Sequence, residues 1–482
     1  MFGTKHNECV GFESRWKVKK VISESSSQTT ENEFSDKGTN TLIKTSMEVQ
    51  TEEDDSTEVT SETDMQKLAT WLSGVYPRVK KELDEANNSH AFRGYRLQGE
   101  SNKADCKLLQ IINVSGKTES GDKAMPKRVS TISWNQTGKT IAVACNFQHS
   151  TWCYHTGFVT LYTLTREEKI PDCPRKTLNT ESCVMSLKFH PMHPAILAAS
   201  TFSGGVVIWN VQNEDGEEII SVSNAHDEVI TQLSWVNDVD FAKNLLIATS
   251  STDGLLKLWN FNITSPNLLL KVRYRVKTPV LNSIHRKNES PENVSSKSLR
   301  GVTCFDFSKH VQDMFIVALE GGHIVQCSVL GTTELKGSTK EEPLLDPVFK
   351  YYLPHEGEVT SVSFSPNRSE MFMSCGTDAE IRVYLIGQEE PAQVIFLRHL
   401  MNDLTFIPHE EKLVAGCGMN SFFEIFHLQR GRPIENITSE KIKKTTSTSI
   451  AMNCRRNNIV AVGNINGELQ LWNVPWRLFA IN

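Results

Sequence analysis

The chain has 482 residues, 39% hydrophobic and 22% charged, a composition typical of a globular protein with some disordered length. The net charge of −6 argues against a nucleic-acid-binding protein, which usually carries a basic face. No apolar run reaches the roughly 18 residues of a transmembrane helix, and the first residues lack the apolar core of a secretory signal. Eleven cysteines without a C-x-x-C pair indicate reduced thiols in the cytosol.

Residues 1–63 form the first segment, in which Ser, Thr, Glu, Asn and Asp dominate and large apolar side chains are few. Residues 48–64 hold eight acidic side chains and no basic one. Such a segment buries too little surface to offset its chain entropy. We therefore predict a disordered arm over residues 1–63.

One short pattern occurs three times in this arm, centred on amide side chains 12 and 10 residues apart. The copies are Ser27-Gln28-Thr29, Thr39-Asn40-Thr41 and Val49-Gln50-Thr51. They resemble anchors for the dimeric DYNLL-class dynein light chain, whose motif is typically K-x-T-Q-T. Such an anchor binds by adding a strand to an exposed sheet edge, and several anchors raise avidity. The alternative is chance, because Ser/Thr-rich tails readily generate Q-T dipeptides, and Asn40 departs from the preferred Gln.

Residues 64–104 follow as a predicted amphipathic helix and linker, with Asp64 as the helix cap and a kink at Pro77. Apolar side chains recur there at spacings of three and four. They are Met65, Leu68, Leu72, Val75, Val79 and Leu83. Either this helix packs on the side of the domain that follows, or it docks a partner. In the second case the docking face is Leu68, Trp71, Leu72, Val75, Tyr76 and Val79, with the aromatics as anchors.

Residues 105–482 contain an internal repeat of three strand-like runs, seven times over. The last run of each unit ends near one bulky position. These positions are Tyr162, Trp209, Trp259, Cys327, Tyr384, Phe426 and Trp472. Their gaps of 47, 50, 68, 57, 42 and 46 residues fit a period of ~40–45 with loop insertions. We predict an all-β fold, a seven-bladed β-propeller in which residues 105–116 close the ring as the outer strand of the last blade.

The units resemble WD repeats, whose blades are tied by a network of His, Ser or Thr, Asp and Trp. The third unit supplies His226, Thr249, Asp253 and Trp259, and the fifth supplies His355, Ser374, Asp378 and Tyr384. We interpret both sets as structural tethers rather than catalytic triads, because the pattern recurs with the blade period and satisfies buried polar groups. The second and fourth units lack the full set, so we expect them to rest on packing alone.

Neither catalysis nor a cofactor is predicted, because the phosphate-binding, HExxH and GxSxG motifs are all missing from the sequence. A possible metal cluster of His149, Cys153 and His155 lies in the first unit. No fourth ligand at a closed-site spacing is evident in the sequence, so we expect no metal there.

Arm, helix and repeats together resemble the WD-repeat dynein intermediate chains, most closely that of the intraflagellar-transport dynein (cytoplasmic dynein 2). The most specific stretches are Val49-Gln50-Thr51-Glu52, the helix leading into Ser89-His90-Ala91-Phe92-x-Gly94-Tyr95, the run from Ile132 to Gly138, and Gly376-Thr377-Asp378. The resemblance implies a non-catalytic subunit whose propeller binds the tail of a dynein heavy chain. Its arm would bind DYNLL-class light chains and join a second intermediate chain, and the helix would dock a roadblock-class light chain. Neither nucleic acid nor membrane insertion would be involved.

The implied process is retrograde intraflagellar transport and cilium assembly. The implied locations are the cytoplasm, cytoskeleton, cilium (axoneme and base) and centrosome or basal body. Alternatives are an intermediate chain of axonemal or general cytoplasmic dynein, or a propeller substrate receptor of a ubiquitin ligase, since propellers have many functions. Residues 1–20 are too short and irregular for the long charged helix of the general cytoplasmic class.

Overall fold

The computed structural model describes residues 62–88, 106–114, 127–147, 149, 152–153, 155–213, 218–241, 244–263, 266–278, 300–408, 410–419, 422–434 and 444–481. The chain divides into two units, Met1–Arg96 and Leu97–Asn482. The arm anchors at residues 27–29, 39–41 and 49–51 lie outside the described residues. Among those that are described, no helix is both long and apolar enough to cross a membrane.

The described part of the first unit is one helix, α1, Glu62–Asn88, which is 27 residues long and contains Pro77. It begins two residues before Asp64, so the expected cap position is wrong and Asp64 lies in the first turn.

Seven β-sheets make up the second unit, and four or more strands build each of them. The first strand of every blade contacts the first strands of both neighbouring blades around a closed ring. The first blade is β2 (Lys127–Trp134), β3 (Thr140–Phe147), β4 (Gly157–Thr163) and β5 (Lys176–Thr180). The second is β6 (Val184–Phe189), β7 (Ile196–Thr201), β8 (Val206–Asn210) and β9 (Glu218–Val222). The third begins with β10 (Ile230–Asn237), β11 (Leu245–Ser251), β12 (Leu255–Asn262) and β13 (Asn267–Arg275).

The later blades follow the same order. The fourth is β14 (Val302–Phe307), β15 (Met314–Leu319), β16 (His323–Ser328) and β19 (Val348–Tyr351). The fifth is β20 (Val359–Phe364), β21 (Met371–Gly376), β22 (Glu380–Leu385) and β23 (Gln393–Phe396). The sixth is β24 (Met401–Phe406), β25 (Leu413–Gly418), β26 (Glu424–His427) and β27 (Arg432–Ile434). The seventh is β28 (Ser447–Met452), β29 (Ile459–Asn464), β30 (Glu468–Asn473) and β1 (Lys107–Asn113). The predicted seven-bladed β-propeller is therefore confirmed.

Strand β1 is the outer strand of the seventh blade. It pairs antiparallel with β30, from Lys107 opposite Asn473 to Asn113 opposite Glu468. Ile112 is 3% exposed and packs into the core between the seventh and first blades. The last blade is thus built from both ends of the propeller, which leaves no ring edge open. Helix α2, Trp476–Ile481, follows β30 and buries Trp476 beside Trp472.

The third blade is longer than the others because an insertion from the fourth blade extends it. Strands β17 (Thr333–Glu334) and β18 (Leu344–Asp346) come from the segment between β16 and β19. β18 pairs in parallel with β13, with Arg273 opposite Leu344. The insertion at residues 331–346 therefore forms strands that cover the outer edge of the preceding blade.

The core lies between neighbouring blades, where the second strands are buried along nearly their whole length. Their small residues allow the sheets to approach closely. Gly463 in β29 shows the constraint, because a Cβ there would overlap the side chain of Val129 in the first blade. Short side chains in this strand set are thus a packing requirement of the ring.

Candidate functional site

The tether of the third blade is a chain of hydrogen bonds through one buried imidazole. His226 Nδ1 lies 2.8 Å from Asp253 Oδ2, and because a carboxylate only accepts, Nδ1 donates. His226 Nε2 then accepts from the hydroxyl of Thr249 at 2.8 Å. Trp259 completes the chain by donating Nε1–H to Thr249 Oγ1 at 2.9 Å. In this series of hydrogen bonds Thr249 Oγ1 donates to His226 and accepts from Trp259. The series connects the turn before β10 to β11 and β12.

Electrostatics favour the neutral form of this imidazole. Burial lowers the pKa of His226 below its ordinary value, so the ring is uncharged at neutral pH. Burial opposes ionisation of Asp253, but the hydrogen bond from His226, the N–H of Leu255 and the charge of Lys257 together outweigh it, and the pKa of the carboxyl is lowered. The hydroxyl of Thr249 is fully buried and already donates to the base. Such a group is a structural tether and is not available as a nucleophile to any substrate.

The fifth blade repeats the tether with one difference. His355 Nδ1 lies 2.7 Å from Asp378 Oδ2, and His355 Nε2 lies 2.7 Å from Ser374 Oγ. Tyr384, which replaces the Trp, donates its hydroxyl to the carbonyl of Leu353 at 3.1 Å. The phenol therefore fixes the segment that leads into His355, whereas the indole of the third blade bonds to the hydroxyl itself.

In the second and fourth blades the expected absence of the full tether has a visible consequence. Trp209 is fully buried, and its Nε1 finds no hydrogen-bond partner in the described part of the chain. The expectation that these blades rest on packing alone is nevertheless wrong. Leu233 N donates to Ser186 Oγ at 3.1 Å, and Phe364 N donates to Asp306 Oδ2 at 2.7 Å. Polar side chains therefore join each of these blades to the next.

A second set of bonds between blades was missed by sequence reasoning. In six blades the pairing of the first two strands is irregular immediately after the opening residue, and in the first blade the irregularity follows Val129. In five blades the polar side chain at this irregularity donates to a carbonyl near the start of the next blade's first strand. The pairs are Ser130 to Val184, Thr231 to Val302, Thr360 to Met401, Asn402 to Ser447 and Thr448 to Val129, at 2.7–2.9 Å. The only sequence signal was a polar residue at this position in six of the seven blades, the second blade having Met185 there.

The predicted docking helix presents its apolar side chains to solvent. Trp71 is 61% exposed, Leu72 50% and Tyr76 65%. Leu68 and Val79 are exposed as well, and Val75 is half-buried. Together these side chains form an apolar stripe on α1, which we call the α1 stripe. Exposed apolar area of this kind is typical of a surface that binds another protein.

Three side chains of the first blade that the sequence suggested as a metal cluster lie close to a fourth, Cys183, that the sequence did not suggest. His149, Cys153 and His155 belong to the β3–β4 loop, and Cys183 directly precedes β6. Their ligand atoms all lie within 4.8 Å of one another. Cys183 reaches the loop because β4 and β5 are paired with Gly157 opposite Thr180. We call these four residues the first-blade cluster.

The two cysteines of this cluster have different proton affinities. Burial opposes ionisation of Cys153, but hydrogen bonds led by the N–H of Cys183 outweigh it and lower the pKa of Cys153 to about 6. The Cys183 N to Cys153 Sγ distance is 3.5 Å. Burial raises the pKa of Cys183 to about 11. All ten cysteines in the described residues are free thiols.

Comparison with known proteins gives matches to both the repeats and the whole chain. The family model of the WD domain, G-beta repeat, matches residues 217–260 and 347–384. Cytoplasmic dynein 2 intermediate chain 2 of Homo sapiens is 25% identical over 423 residues, which are 86% of this chain and 76% of that protein. Dynein axonemal intermediate chain 1 of Mus musculus is 25% identical over 266 residues, 55% of this chain and 34% of that protein. The 78 kDa intermediate chain of the Chlamydomonas reinhardtii flagellar outer arm is 24% identical over 356 residues, 72% of this chain and 48% of that protein.

The two matched WD segments are those that contain the tethers of the third and fifth blades. The fold and the repeats therefore define the chain as a seven-bladed WD-repeat β-propeller protein. Its sequence is similar to the dynein intermediate chains, including the intermediate chain of cytoplasmic dynein 2, so the predicted resemblance is confirmed.

Proposed function

We propose that the chain is a non-catalytic intermediate chain of the ciliary dynein-2 motor that supports retrograde intraflagellar transport and cilium assembly. One observation carries this proposal: the similarity to cytoplasmic dynein 2 intermediate chain 2 covers 86% of the chain. The propeller unit itself has 386 of the 482 residues, so the similarity extends beyond the WD repeats. A protein that shared only the repeat architecture would not match there.

In this proposal the propeller is a rigid platform for the tail of a dynein heavy chain. Side-chain bonds between blades and the closing strand β1 make the ring resist deformation, which suits a platform that bears load.

The protein would act in the cytoplasm and cilium and at the basal body or centrosome. Affinity purification from ciliated cells tests this assignment. We expect a dynein heavy chain, light chains and a second intermediate chain, whereas recovery of ubiquitin ligase components would contradict the proposal.

The arm would bind DYNLL-class light chains through its three anchors. Titration of a DYNLL-class light chain into the full chain, followed by calorimetry, tests this interaction. The double substitution of Gln28→Ala and Gln50→Ala should weaken binding by more than about 10-fold, because linked anchors contribute through effective concentration. Gln66→Ala is the matched control, since Gln66 is exposed on α1 and outside every anchor. Equal binding by the double variant and wild type would contradict this role of the anchors.

The α1 stripe would bind a roadblock-class light chain. Trp71→Ala should weaken that complex by at least about 30-fold, because a buried interface aromatic commonly contributes about 2 kcal/mol or more. Lys81→Ala is the control: it lies on the opposite face of the helix, and its ion pair with Glu85 at 3.6 Å is exposed and weak. If both substitutions had the same effect on affinity, the stripe would not be the docking surface.

A further inference from the structure

The first-blade cluster combines two thiols and two imidazoles, with no carboxylate among them. Thiolate and imidazole are the ligands that zinc prefers, whereas calcium and magnesium prefer oxygen ligands. Cys153 Sγ lies 4.0 Å from His155 Nδ1, and all four ligand atoms lie within 4.8 Å of one another. In a tetrahedral zinc site the ligand atoms are about 3.3–3.8 Å apart. Rotations of side chains through about 1 Å would bring the cluster to that geometry.

One ring nitrogen of the cluster has an unmet requirement. His149 Nε2 is buried, and the described residues offer it no hydrogen-bond partner. Leaving such a group unpaired costs about 1–3 kcal/mol. A cation bound at the cluster would remove this cost, because the lone pair of an imidazole nitrogen would then have an acceptor.

Aromatic neighbours hold both imidazoles in place. The His149 ring stacks on Phe202 with centroids 4.3 Å apart, and the His155 ring stacks on Phe147 at the same distance. The two imidazoles themselves meet edge to face at 5.4 Å. Ligand orientation by surrounding side chains is a regular property of metal sites, because it reduces the ordering that the ion must impose.

We propose that His149, Cys153, His155 and Cys183 bind one Zn²⁺ ion in a closed, four-ligand structural site. Three ligands come from the β3–β4 loop of the first blade, and the fourth begins the second blade. The carbonyl of Cys183 also accepts from Phe202 N at 2.8 Å, in the turn between β7 and β8. The ion would therefore join the first blade to the second, in contrast to the His226 and His355 tethers, which act within one blade.

The test uses the full chain, purified under reducing conditions without chelator. Metal analysis should find one zinc ion per folded chain. Cys153→Ser and Cys183→Ser should each weaken zinc binding by more than about 100-fold, because a directly bound ligand is lost. Cys173→Ser is the matched control, since Cys173 is an exposed thiol of the same blade outside the cluster, and it should retain the zinc.

Cobalt substitution adds a spectroscopic measurement of the ligand set. We expect the visible d–d bands of a tetrahedral site and a thiolate-to-cobalt charge-transfer band, which should lose about half its intensity if Cys153→Ser still retains cobalt. A chelator should lower the melting temperature of wild type and Cys173→Ser but not that of Cys153→Ser. A folded, reduced wild type that binds no zinc would overturn the proposal. A Cys153–Cys183 disulfide, or zinc retained at full affinity by both cysteine variants, would do the same.

Discussion

Replacement of Thr249 by valine tests the tether of the third blade. The two side chains have nearly the same shape, so the substitution removes the hydroxyl without opening a cavity. Thr249 is fully buried, and its hydroxyl donates to His226 and accepts from Trp259. Both partners would then be buried without a replacement, at about 1–3 kcal/mol each. After allowance of about 1 kcal/mol for the more apolar valine, we expect a loss of about 1–5 kcal/mol in the free energy of unfolding.

Urea unfolding of the full chain, followed by tryptophan fluorescence and circular dichroism, measures this loss. Thr163→Val is the matched control, because the buried Oγ1 of Thr163 has no hydrogen-bond partner among the residues described. That substitution should leave the free energy of unfolding unchanged or raise it by up to about 1 kcal/mol, because the more apolar valine loses no hydrogen bond there. Trp259→Phe should also cost less in the Thr249→Val background than in wild type, because one network connects them. If both threonine substitutions had equal effects, the tether would not stabilise the blade.

Three other substitutions test the ring, each by urea unfolding. Ile112→Ala in the closing strand should lower the free energy of unfolding by about 2–4 kcal/mol. Ile111 is 38% exposed on the other face of the strand, so Ile111→Ala should lower it by about 0.5 kcal/mol or less. Equal costs would refute the pairing of β1. Thr448→Val removes the hydrogen bond to the carbonyl of Val129 that joins the last blade to the first, and it should lower the free energy of unfolding by about 1 kcal/mol. An unchanged free energy of unfolding would show that this bond does not stabilise the ring. Burial raises the pKa of Asp306 to about 6, above about 4 in the unfolded chain. The folded chain therefore binds a proton at Asp306 more tightly than the unfolded chain does. The stabilisation from this proton is fully present below about pH 4 and is lost as the pH rises through about 6. Relative to Asp306→Asn, wild type should therefore gain stability from about pH 7 to about pH 4.5; a constant difference would refute the shift.

The family model matches the third and fifth blades because these retain the polar tether in sequence. Elsewhere the blades keep the strand pattern but lack part of the tether, as in the fourth blade, which has Cys327 at the tryptophan position. Bonds from Ser186 and Asp306 to the next blade contribute there. Different side chains thus stabilise equivalent blades, which explains how the architecture persists while the recognisable motif is lost.

The sequence alone determined the features that local pattern and period control. Apolar runs at a blade-like spacing predicted seven blades, and the strand-like run at residues 106–114 had no other place in that count. The two His and Asp pairs were identified because their members are set by position within one repeat. Spacing of three and four predicted the helix that the structure places at Glu62–Asn88, although its start was two residues off because caps are weak local signals.

The tertiary structure decided every feature that depends on which segments become neighbours. Cys183 meets the loop of His149, Cys153 and His155 only because β4 pairs with β5 and the chain then turns into the second blade. β18 pairs with the third blade although it follows a strand of the fourth. The bonds from one blade to the next likewise join residues from separate repeats. No sequence period contains such contacts, because packing of whole blades around the ring creates them.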